Sequence, residues 1–146
     1  MKIMALDVGN VRIGVAVSDE LEMGAYPLTT YTRVGSLRRD VAAIVALAGQ
    51  QEADAILVGL PTSLNGDEGP QAKRTRVFGD ALAKNVSLPV EYWDESMTSV
   101  EAEEQLIALD YSRQKRRLVL DQWAAKILLE SYLEHRNASK AARDRV

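Results

Sequence analysis

Two short apolar runs constrain this chain most. Lys2–Val8 is mostly apolar, and Ala55–Leu60 is continuously so until Pro61. Each has the length of a buried strand and not of a helix. Between them, Arg12–Ser18 places Ile13, Val15 and Val17 at alternating positions after a Gly9-Asn10 turn, which predicts a second strand paired with the first as a hairpin. Tyr26–Arg33, rich in Thr and Tyr, reads as a third strand, with Pro27 weakening its first residues. Beyond that the periods alternate. Ser36 is a candidate N-cap for a helix whose Leu37, Val41, Ile44, Val45 and Ala48 recur at helical spacing. Residues 62–70 form a loop with Asn65-Gly66, and Pro70 opens a helix to about Lys84. Pro89–Trp93 is a further strand, Thr98-x-x-Glu101 a capping box for a helix to about Leu109, and Asp110–Gln114 a connection. Arg116–Arg136 is the last helix. The expectation is an α/β domain over residues 1–136: a mixed five-stranded sheet, opened by an antiparallel three-strand meander and flanked by helices. Residues 137–146, lacking an apolar face, are expected to be a frayed or disordered tail.

The last helix holds the clearest sign of chemistry. At about 100° per residue, Leu118, Ala125, Leu128 and Tyr132 all lie within roughly 60° of Asp121. Asp121 therefore sits inside the apolar stripe that should face the sheet. A buried ionised carboxylate needs a compensating group, which is a basic side chain, backbone donors or a metal. Asp7, near the end of a central strand, is a second candidate, because ligands in such sheets gather at the carboxyl ends of strands. Its bland alternative is a carboxylate bonded to the following Gly turn. Asp94-Glu95, ending the Pro89–Trp93 strand, is the third. Strand alternation sends these two side chains to opposite faces, so only one of them readily joins Asp7.

Converging like charges raise one another's pKa unless cations neutralise them. Hard oxygen ligands favour Mg or Mn over zinc, and two such ions can activate a water and stabilise a leaving phosphodiester oxygen. That chemistry suits a chain with no Cys and a single His. Phosphate contacts then require cations nearby. The candidates are Arg12 beyond the first turn, Lys73, Arg74 and Arg76 on the helix after Pro70, and Arg113, Lys115, Arg116 and Arg117 leading to Asp121. Trp93 and Trp123 read as core, and His135 as compensating a helix C-terminus. The net charge of -3 and the pI near 5.2 do not by themselves suggest a nucleic-acid binder. No apolar run approaches the ~20 residues of a membrane span, and no signal peptide is discernible, so the expected location is cytoplasmic.

The chain resembles the YqgF/RuvX family of pre-16S rRNA nucleases, also called Holliday junction resolvase-like proteins. The resemblance rests on Ala5-Leu-Asp-Val-Gly9, Arg12-Ile-Gly-Val-Ala16, Val58-Gly-Leu-Pro61 and Asn65-Gly-Asp-Glu-Gly-Pro70. It continues through Asp94-Glu95 with Thr98 and Ala102, then Asp121-Gln-Trp-Ala-Ala125 and Ile127-Leu-Leu-Glu-Ser-Tyr132. It implies a ribonuclease-H-like fold and two-metal nuclease chemistry, with Asp7, Glu95 and Asp121 as the acidic trio. It also implies a structured-RNA or branched-DNA substrate, either the 5' end of 16S rRNA in the small-subunit precursor or a DNA junction. The family usually has Arg after the Asp-Glu pair, where this chain has Ser96. For a junction cutter the expectation is a two-fold homodimer with paired sites. Two other classes compete. Actin-like ATPases and sugar kinases share the opening hairpin but normally need two such domains, and a non-catalytic RNA-binding assembly factor would suit the acidic pI and Ser96.

Overall fold

A computed structural model describes residues 1–62, 66–95, 104–105, 107–108 and 113–144, with side chains described from 119 to 143 in the last helix. Five strands form one sheet in the order β3-β2-β1-β4-β5. They are β1 (Ile3–Val8), β2 (Arg12–Ser18), β3 (Ala25–Thr32), β4 (Ala55–Leu60) and β5 (Val90–Asp94). The helices are α1 (Leu37–Gln50), α2 (Pro70–Asn85) and α3 (Arg113–Asp144). β1 pairs antiparallel with β2 and parallel with β4, and β4 pairs parallel with β5. The central position of β1 and β4 explains why their sequences are the most apolar, since both of their faces are covered. Pro27 is tolerated because β3 is an edge strand, and the β2–β3 register shifts beside it, between Val15 and Ala16.

Strand alternation divides the interior into two layers. Met4, Leu6, Val8, Ile56 and Val58 point to one face, where they pack with Val41 and Ile44 of α1 and Phe78 and Leu82 of α2. Ile3, Ala5, Ala16 and Leu57 point to the other, against Ala125, Leu128, Leu129, Tyr132 and Leu133 of α3. Ser36 caps α1 as expected, its hydroxyl accepting from the Arg39 N–H, and Pro70 opens α2. The Thr98-x-x-Glu101 box lies outside the described residues, while 104–105 and 107–108 are helical.

α3 differs from the expectation at both ends. It begins at Arg113, and it does not stop at Arg136 but runs on to Asp144, so residues 137–144 are helix and not a frayed or disordered tail. Polar contacts hold this extension, which is why apolar periodicity did not reveal it. Arg136 Nε and Lys140 Nζ each lie 2.7 Å from the buried carboxylate of Glu22, and Asn137 donates to the Glu22 carbonyl at 3.2 Å. His135 is therefore not at a helix C-terminus. Its ring packs 5.1 Å from that of Trp93, which also meets Tyr132 edge-on at 5.3 Å. No helix among the described residues is long and apolar enough to cross a membrane.

Candidate active site

The α3 layer gives the site its position. Asp7 lies opposite Gly14 in the β1–β2 register, and directly opposed residues share a face. Gly14 lies where α3 crosses the sheet. A β-carbon there would stand 1.9 Å from the Asp121 carbonyl oxygen, so only glycine lets the helix backbone rest on β2. The turn of α3 that carries Asp121 is thereby pressed against the strand pair that carries Asp7.

Glu95 arrives from the other side. Its N–H donates to the Leu60 carbonyl at 3.2 Å, continuing the β4–β5 pairing one residue past the strand. Its carboxyl group lies over Gly59, where a β-carbon would come within 2.3 Å of Glu95 Oε2 and 2.8 Å of Leu128 Cδ2. Asp94 takes the opposite side, accepting from the Thr62 hydroxyl at 2.8 Å. Between Asp94 and Glu95, it is Glu95 that joins Asp7.

The electrostatics follow from that placement. Burial pushes Asp7 up to about 6, a rise limited by the hydrogen bond from Glu95 and aided by the charge of Asp121. Burial, the charge of Asp7 and the hydrogen bond between the two carboxyls push Glu95 up to about 10, with a smaller contribution from Asp94. Near neutral pH the pair keeps a proton, with the Glu95 carboxyl donating to Asp7. Glu95 Oε2 is buried with no hydrogen-bond partner among the described residues.

Asp121 stands beside this pair but is engaged elsewhere. Its Oδ2 accepts from Arg12 Nε at 2.6 Å, in an ion pair whose arginine is half exposed. Pairing with a base was one of the compensations the helical arithmetic allowed, and the base comes from the far side of the first turn. Among the described residues no three acids stand close enough to share one ion.

The remaining predicted cations separate into groups. Arg76 is held by Glu68 through two bonds of 2.6 and 2.8 Å, and lies over the Tyr92 ring. Lys73 and Arg74 are exposed on the first turns of α2. The side chains of Arg113, Lys115, Arg116 and Arg117 lie outside the described residues, as does Ser96. Trp123 donates to Gln105 Oε1 at 2.8 Å and packs with Leu120, Ala124 and Ile127. Sequence reasoning missed Gly14 and Gly59. The available signal was a glycine inside each strand, which often marks a close approach.

The chain's family and fold are shown by its similarity to known proteins. Residues 1–135 match the family model described as RuvX, Holliday junction resolvase. The chain belongs to the RuvX family. Its relatives include proteins of Halothermothrix orenii (44% identical, spanning 94% of this chain and 97% of the relative) and Myxococcus xanthus (43%, spanning 92% and 88%). A Pelotomaculum thermopropionicum relative is 45% identical, spanning 92% of this chain and 87% of its own. All three are pre-16S rRNA nucleases by name. Among solved structures, Thermus thermophilus RuvC in complex with a Holliday junction substrate aligns with a TM-score of 0.58 at 16% identity, covering 93% of this chain and 96% of that one. A second Thermus thermophilus RuvC structure aligns at 0.56 and 13%, covering 94% and 97%. The RuvX chain thus has the ribonuclease-H-like fold that the family resemblance implies, built on the mixed sheet that its hairpin and strand–helix alternation predict.

Proposed function

We propose that this RuvX protein is a divalent-cation-dependent nuclease of the cytoplasm that hydrolyses phosphodiester bonds, with the 5' end of the 16S rRNA precursor as its substrate. The observation that carries this reading is the buried Asp7–Glu95 pair, whose Glu95 Oε2 has no hydrogen-bond partner among the described residues. Crowding two carboxyls in a buried site is costly. The proton they share near neutral pH relieves the repulsion, and a cation displacing it would also satisfy the Glu95 oxygen that lacks a partner. The donor set is all oxygen, which favours Mg or Mn. The residues fit such an ion. Asp7 and Glu95 would hold it, and Asp121, not close enough to share the ion while it pairs with Arg12, would have to leave Arg12 to become the third carboxylate.

Bound there, a pair of divalent ions would lower the pKa of an attacking water and neutralise charge on the leaving oxygen. The chain's own residues do the remaining work. Gly59 leaves room for the Glu95 carboxyl, and Gly14 sets the depth of Asp121. Arg12 pairs with Asp121 and, were Asp121 to turn to the cation, would be available to a phosphate. The names of the relatives support an rRNA substrate. The family description and the RuvC-like fold favour a second reading, cleavage of branched DNA, for which a two-fold junction would call for a homodimer with paired sites.

The test is a cleavage panel of pre-rRNA ends, single strands and four-way junctions with Mg, Mn or chelator, for wild type and Asp121→Asn. The variant is expected to bind RNA as wild type does and to lose cleavage by more than about 10²-fold. Cleavage by Asp121→Asn equal to wild type in Mn would refute the site. RNA binding without cleavage by the wild type under any condition would favour a binding module.

A further inference from the structure

The end of β1 is gripped from the face opposite to α3 by two arginines that the cleavage chemistry does not use. Arg33 Nη1 donates to the Gly9 carbonyl at 3.1 Å. Arg74 Nη1 donates to Gln71 Oε1 at 3.2 Å, and Gln71 Nε2 donates to the Val8 carbonyl at 3.3 Å. Val8 and Gly9 directly follow Asp7. Both guanidinium groups are thus referenced, one directly and one through Gln71, to the strand that carries the candidate catalytic acid.

Between them lies an open groove of about 340 Å³, lined by Asn10, Arg33, Ser36, Arg74 and the Phe78 ring among others. Its charge is unbalanced. Arg33 is matched by the buried Asp40, which accepts from Arg33 Nε at 2.9 Å, from the Val34 N–H at 3.0 Å and from the Tyr31 hydroxyl at 2.9 Å. Arg74 has no acidic partner among the described residues, so the groove carries one unmatched positive charge. The N-terminus of α1 opens onto the same groove at Ser36, adding the positive end of a 14-residue helix. Asn10 and Ser36 supply neutral donors beside it.

We propose that this groove is a second phosphate subsite for the nucleic-acid strand, away from the bond being cut. This rests on the nuclease reading and extends it. Arg74 makes a charge-assisted contact to a backbone phosphate, and Asn10 and Ser36 complete it. Because the groove is keyed to Val8 and Gly9, holding a phosphate there fixes how far along the strand Asp7 acts. A backbone contact positions without reading bases, so the subsite selects strand geometry and not sequence.

The experiment is binding of a short labelled RNA strand in excess chelator, which removes cleavage from the readout. It compares wild type, Arg74→Gln and Lys84→Gln over a range of salt concentrations. Lys84 lies in the last turn of α2, at the other end from Arg74, so both variants lose the same net charge. Arg74→Gln is expected to weaken binding roughly tenfold, as loss of a hydrogen bond to a charged group does, and to reduce the salt slope by about 0.7. Lys84→Gln is expected to do neither. In a cleavage assay, Arg74→Gln should also blur the position of the cut. If the wild type binds and the two variants bind alike, the subsite is refuted while the nuclease reading stands. If the wild type binds no RNA or DNA strand at all, both fail together.

Discussion

Gly14→Ala tests whether the helix bearing Asp121 rests directly on β2. The added β-carbon would sit 1.9 Å from the Asp121 carbonyl oxygen and 2.1 Å from its carbonyl carbon, and ordinary contact begins near 3.4 Å. The obstacle is helix backbone and not a flexible side-chain end, so α3 must move away by about 1.5 Å, the difference between 3.4 and 1.9 Å. That displacement opens the layer in which Ala125, Leu128 and Leu129 meet Ile3, Ala5 and Leu57. Overpacking of this kind costs about 3 kcal/mol, the upper end of the usual range. In a domain of this size that lowers Tm by roughly 10 °C. Activity should fall further than stability does, because a shift of about 1 Å in a reacting group can cost on the order of 10²-fold. The control is Gly49→Ala in α1, where a β-carbon meets nothing within 4 Å. Removing a glycine from the last turn of α1 should leave cleavage unchanged and add no more than about 1 kcal/mol of stability. Calorimetric melts and Mn-supported cleavage give both readouts. A Gly14→Ala protein with wild-type Tm and wild-type cleavage would show that the helix does not seat on β2 in this way.

Arg12→Gln frees the Asp121 carboxylate, so Mn should bind about two- to fivefold more tightly by calorimetry, the range expected of a half-exposed ion pair, while RNA binds more weakly. Unchanged Mn affinity would mean that Arg12 does not compete for Asp121. Asp40 supplies a pH prediction. Burial alone would raise its pKa, but the hydrogen bonds from Arg33, the Val34 N–H and Tyr31 outweigh burial and hold it below the usual carboxylate value of 3.8. A depressed folded pKa means stability that is present above the unfolded value and lost as the pH falls through the folded one. Urea melts of the wild type should therefore weaken below about pH 4. Asp40→Asn should lose roughly 3 kcal/mol at pH 7, by stranding Arg33, and show a shallower acid limb. Equal acid limbs in the two proteins would count against this assignment.

What could be read in the sequence, and what could not, divides along the kind of force involved. The sheet, its two layers and the inward aspect of Asp121 follow from apolar periods of two and 3.6, which act locally along the chain. The choice between Asp94 and Glu95 needed one further fact, the β4–β5 register, which sets Trp93 opposite Gly59 and so sends Glu95 over that glycine. Strand parity alone says that the two acids diverge, but not which of them meets Asp7. The Arg12–Asp121 pair and the clasp of Glu22 by Arg136 and Lys140 join residues at opposite ends of the chain through polar groups that carry no period. For the same reason the C-terminal part of α3 looked like a tail. Gly14 and Gly59 were visible as letters but not as functions, because what they contribute is space. That space brings acids from three elements to one end of the sheet: β1 supplies Asp7, the residue after β5 supplies Glu95, and α3 supplies Asp121. A substitution that filled either glycine would alter the site without touching any acid, so the acidic trio alone is an incomplete description of the candidate active centre.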